Sequence, residues 1–230
     1  MKSKNIFICM VLVGVVLMGA QSAFADVTAV YKMTMRDGNG TQTIRYADKN
    51  HVRVDMASEA MHHEAIMMKL GDKVYAITGK VVQDMGQLSA MMAAMGKGGK
   101  GRHKAHDPIK YKDTGRTETV AGIKGKVYRF IEHGKKHELV LGQDKDLQAA
   151  MLGVVEIAKS SNGMMPDDFR SQIQQDAFEK SMAMLRLDNI MLLQSLNKKH
   201  IQDSVFDLPS KPQQFGGAGL EGLMRGMMGK

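Results

Sequence analysis

From residue 27 to about residue 85, apolar and polar side chains alternate with a period of two, the pattern of strands with one buried and one solvated face. Val27, Ala29, Tyr31, Met33 and Met35 share one side of the first strand, and Asp37-Gly38-Asn39-Gly40 supplies a turn. Thr41 to Ala47 follows. Beyond Asp48-Lys49-Asn50, Val52, Val54 and Met56 alternate with His51, Arg53 and Asp55. Further strands are predicted over Glu64–Leu70, Val74–Thr78 and Val81–Met85, separated by Gly71-Asp72 and Gly79-Lys80. Six strands in under sixty residues imply an antiparallel meander, because parallel neighbours need long crossovers.

The period then becomes helical. Leu88, Met91, Met92 and Met95 predict a short helix over Gln87–Met95, and the glycine-, lysine- and histidine-rich stretch 96–107 predicts a mobile loop ending at Pro108. Strand character returns at Ile109–Lys112, Glu118–Ala121, Lys126–Glu132 and His137–Leu141. The strongest helix runs from Lys145 to Lys159, with Leu147, Met151, Val154, Val155 and Ala158 on one stripe that must pack on the sheet. A weaker helix is predicted over Asp167–Lys180. Met182–Lys198 suits either a helix or a hairpin turning at Asp188-Asn189; the hairpin is the reading adopted. The domain closes at Phe206–Pro209, near residue 210, and residues 211–230 read as a flexible tail rich in glycine and methionine.

The amino terminus carries export chemistry. Lys2 and Lys4 precede an apolar run from Ile6 to Met18, broken only by Cys9 and Gly14, and Ala23-Phe24-Ala25 follows. This is the order of a cleavable signal peptide over residues 1–25, with the mature chain starting at Asp26 and localisation expected to be periplasmic. The run is about 13 residues, against roughly 20 for a spanning helix. Cys9 leaves with the leader, so no thiol nucleophile, disulfide or cysteine ligand remains. Losing Lys2 and Lys4 lowers the net charge from +8 to +6. The one dense basic run, Lys97, Lys100, Arg102 and Lys104, has only Tyr111 near it, and the chain has no Trp. That composition lacks the stacking platforms of nucleic-acid binders and fits a solvated loop, with peripheral contact to anionic headgroups the remaining option.

Three segments resemble bacterial lipoprotein carriers, the LolA/LolB-like superfamily. Gly71-Asp72-Lys73-Val74-Tyr75-Ala76-Ile77 is similar to the central hairpin of that group. Thr119-Val120-Ala121-Gly122-Ile123, leading to Val127-Tyr128-Arg129-Phe130, is similar to its second half. Asp203-Ser204-Val205-Phe206-Asp207-Leu208-Pro209 is similar to the closing segment of exported relatives whose role is unknown. The resemblance implies an α+β fold, an antiparallel incomplete β-barrel, or half-barrel, wrapped around an amphipathic helix. Its apolar concavity would receive an acyl chain. The carriers use an arginine near the cavity mouth; Arg45 and Arg53 lie on suitable strands, and no local motif decides between them.

No catalytic constellation emerges. His63-Glu64 and His137-Glu138 start the zinc-protease pattern, but Met67 and Leu141 stand where the second histidine is required. Gly96, Gly98 and Gly101 have dinucleotide-fingerprint spacing without the strand and helix that fingerprint needs. Methionine is the anomaly: Met1, Met10 and Met18 leave with the leader, and 19 of the 22 remain. Met33, Met35 and Met56 fit a core. His103 with His106, and His133 with His137, read as solvated. The expected function is therefore a non-enzymatic binding protein without a cofactor, holding a lipid or lipoprotein acyl chain against Met91, Met92, Met95 and Met151, with its oligomeric state left open. The alternative is copper(I), which suits thioether and imidazole ligands, held by Met61 and His63 with help from Met91, Met92 and Met95.

Overall fold

The computed structural model describes residues 26–35, 38–61, 64–94, 109–132, 134–160, 177 and 181–213. Strands β1 (Val27–Met35), β2 (Gly38–Asp48), β3 (His51–Ser58), β4 (Ala65–Leu70), β5 (Lys73–Thr78) and β6 (Val81–Asp84) lead into α1 (Met85–Ala94). Then come β7 (Lys112–Val120), β8 (Ile123–Glu132), β9 (Lys135–Gly142), α2 (Lys145–Ser160), β10 (Ala183–Leu187), β11 (Met191–Asn197) and a 3-10 turn at Asp203–Phe206. All eleven strands form one open sheet in the order β6-β5-β4-β3-β2-β1-β11-β10-β9-β8-β7, every neighbouring pair antiparallel.

Of the stretch expected as a strand over Ile109–Lys112 only Lys112 lies in one: β7 starts there, runs through the unexpected residues 113–117, and takes in Glu118–Val120 of the next expected stretch. Its pairing with β8 slips between Asp113 and Thr117, where Gly115 takes a φ of 72°. An interrupted hydrophobic pattern there marks a bulge, not a strand end. The ambiguous segment is the hairpin β10–β11, turned by Asp188 at a φ of 45°. The helix expected at 87–95 starts two residues earlier, because the Asp84 carboxylate accepts the backbone N–H groups of Gly86 and Gln87 and so caps α1. The expected helix over Asp167–Lys180, the loop 96–107 and residues 214–230 lie outside the described residues, apart from buried Ala177.

The sheet buries both faces. On the inner face, Val27, Ala29, Tyr31, Ile44, Tyr46, Val52, Val54 and Met67 join one core with Leu147, Ala150, Met151, Val154 and Ile157 of α2. The buried stripe of α2 is rotated from the expected one: Val155 and Ala158 are only partly buried, whereas Ala150 and Ile157 are fully so. On the outer face, Met68, Tyr75, Ile77 and Val82 are covered by Ile201 and Phe206 of the closing segment.

The far end of the sheet folds over. Strand β7 comes within 8 Å of β11, Cα to Cα, although a flat sheet would hold strands four places apart at about 19 Å. The directly paired Gly125 and Gly142 permit this, since a Cβ on either would meet Leu185 Cδ1 at 2.9 or 2.7 Å. Arg186 on β10 fastens the fold by donating to both Glu118 oxygens on β7, at 2.9 and 2.7 Å, and to Glu138 on β9 at 2.7 Å.

Candidate functional site

Helix α2 is anchored to the inner face at two places. Asp144 caps it, accepting the N–H groups of Asp146 and Leu147, and Lys198 beyond β11 pairs with Asp144 at 3.0 Å and Asp146 at 2.7 Å. Gly153 is the second anchor: a Cβ there would lie 2.8 Å from both Val52 methyl carbons and 3.1 Å from Tyr46 Cδ2. Val27, Tyr46 and Val52 are cross-strand partners, and Asn197 pairs with Thr28, so both anchors lie toward one end of β1–β3.

Gln42 lies toward the other end, about 13 Å along β2 from Tyr46. It pairs with Tyr31 on β1 and Met56 on β3, so all three side chains share the inner face. Gln42 is 9 % exposed. Around the same core Met56, Ala76 of β5 and Leu88 of α1 are apolar and only partly buried. The Tyr31 hydroxyl donates to the Met184 carbonyl at 2.7 Å, and burial pushes its pKa far above the usual phenol value.

The expected ligand residues are distributed unevenly over this arrangement. Met151, 3 % exposed, is a core side chain of α2. Met91 is half-buried on α1, Met92 lies on the same helix, and Met95 is outside the described residues. Of the copper alternative, Met61 is 42 % exposed before β4, and His63 is outside the described residues. Among the described residues no three His, Cys, Asp or Glu side chains form a metal-holding group.

Arg45 and Arg53, between which no motif decided, both face outward and clamp the buried Asp55, and Arg53 also donates to the Val205 carbonyl at 2.7 Å. Odd positions on β2 and β3 point away from α2, which parity alone forecasts. His137 is not solvated. Its side chain is 13 % exposed, its Nδ1 lies 2.6 Å from Asp188 Oδ2, and its ring stacks on Phe130 at 5.0 Å. Gln42 escaped the sequence reading, although a glutamine in phase with Ile44 and Tyr46 breaks the apolar side of β2 and was visible as such.

No family model matches this chain, and no curated protein matches it. Among solved structures the chain is similar to PNGF-II in two crystal forms. For the C2 form the TM-score is 0.30 at 10% identity, covering 82% of this chain and 30% of that one. For the P21 form the values are 0.28, 8%, 78% and 29%. This chain thus spans under a third of the PNGF-II length, and a likeness of this size carries neither fold nor function.

Proposed function

We propose that this chain is an exported, periplasmic, non-enzymatic binding protein that holds a lipid or lipoprotein acyl chain on the inner face of an incomplete barrel folded around α2. The observation that carries the reading is the set of partly exposed apolar side chains Met56, Ala76 and Leu88, continuous with the main core. Partly wet apolar surface next to a packed interior is where an acyl chain gains most on leaving water, about 0.8 kcal/mol for each buried methylene. Leu88 and Met91 are half-buried at helical spacing on α1, so α1 supplies one wall. Methionine adapts its shape to varied chains. Met151, buried on α2 in the same core, would meet the ligand only at its deepest point.

The test is binding of a fluorescent acyl probe to mature protein and its displacement by unlabelled lipid. Displacement is expected, weakened at least tenfold in a Leu88→Gln, Met91→Gln double variant that keeps its thermal transition. Tight stoichiometric copper(I) retention under reducing conditions, with no acyl binding, would replace this reading by the copper alternative at Met61 and His63.

A further inference from the structure

We infer that Gln42 is the polar anchor of the inner face, and that it selects an uncharged acyl carbonyl, an ester or an amide, over a free carboxylate. The inference rests on the acyl-binding reading and names the chemistry of the ligand's linkage. A glutamine amide carries two donors and an acceptor, and burying them without partners is costly. Gln42 is 9 % exposed, yet its side chain makes no hydrogen bond among the described residues. No side-chain nitrogen or oxygen among the described residues is both sealed from solvent and unbonded. The Gln42 amide therefore touches solvent-accessible space on the inner face, beside Met56 and beside Tyr31, whose own hydroxyl is spent on Met184.

The surroundings decide the charge of the occupant. The inner-face neighbours of Gln42 are Tyr31 and Met33 on β1, Gly40 and Ile44 on β2, and Val54 and Met56 on β3. None is cationic, and the nearby arginines Arg45 and Arg53 face the other side, held by Asp55. A carboxylate brought here would be desolvated with no counter-charge, whereas a neutral carbonyl needs only a single N–H, which the Gln42 amide can supply. An acyl chain joined to glycerol or to an amino terminus carries such a carbonyl; a free fatty acid at neutral pH does not.

The experiment compares four probes of equal chain length against mature wild-type protein and Gln42→Leu: a methyl ester, an N-methyl amide, the free acid at pH 8 and the alkane. The wild type should bind ester and amide about tenfold more tightly than the alkane and more tightly than the acid. In Gln42→Leu the ester-to-alkane ratio should fall to about one while alkane binding stays or improves. That variant should also melt at a higher temperature, since an amide with no protein partner among the described residues is replaced by an apolar side chain; a purely structural glutamine would give a lower one. Gln42→Met supplies a second variant of similar length. An unchanged ester-to-alkane ratio in both variants, or tightest binding of the free acid, overturns the inference alone. Binding of none of the four probes by the wild type overturns the acyl-binding reading beneath it.

Discussion

Gly153 decides how closely α2 can approach the sheet. A methyl group at this position would meet both branches of Val52 at 2.8 Å, so no rotation of the valine relieves the overlap. Gly153→Ala gains about 1 kcal/mol of helix propensity but forces the helix off the sheet, and overpacking costs roughly 1–3 kcal/mol. Chemical denaturation of the variant should show a lower midpoint and a net loss of about 1 kcal/mol; a gain would mean the helix is free to move. Single side chains were the least legible level of this sequence. Arg45 and Arg53 look like candidate ligand contacts until Asp55 is seen between them, and His137 looks like a surface histidine until the hairpin turn brings Asp188 to it. Such pairings join residues that are close only in the folded sheet. Gln42 differs, because its disagreement with the apolar phase of β2 is local and needs no fold to detect.

At the scale of elements the alternation of side chains was sufficient to place most strands, since period two survives wherever one face is buried. Where a bulge interrupts it, as in β7, the strand's first half at residues 113–117 goes unread. The stripe of α2 shifted because its closest approach is made by a glycine, which no apolar pattern reports. The cap of α2 carries a pH signature. Burial pushes the Asp144 carboxyl up, but the Leu147 N–H and Lys198 outweigh it and hold its pKa below the ordinary value, while Asp146 and Asp144 raise that of Lys198. A depressed carboxylate contributes stability that is present above its unfolded value, about 4, and is lost as pH falls through the folded value. A raised lysine contributes stability present below about 10.4 and lost as pH climbs through its folded value. In Asp144→Asn, which keeps a capping side chain, melting temperature should decline less steeply below pH 4 than in the wild type. The difference at neutral pH should stay under about 1 kcal/mol because Lys198 is half in water.

Across the whole molecule, the two faces of the sheet have different occupants, α2 on one and the closing segment on the other. The closing segment is tied by Arg53 to the Val205 carbonyl and by the Asp26 carboxylate, which lies 2.6 Å from both His200 Nδ1 and the Ile201 N–H. Asp55, 2 % exposed, orients Arg53 and neutralises Arg45. Asp55→Ala leaves two guanidinium groups without their counter-ion, and because both are partly exposed the loss should be about 1–3 kcal/mol. Proteolysis should then cut the released segment around residues 201–210 first; a variant as resistant as the wild type would show that apolar contacts alone hold it. The pairing of β1 has a temporal consequence. Its partners are β2, a few residues downstream, and β11, which ends at Asn197. Strand β1 thus holds the centre of the sheet, and that centre stays half-formed until β11 is present to pair with it. Long-range pairing of this kind is slow to nucleate. A polypeptide arranged in this way keeps its first described strand waiting for its last.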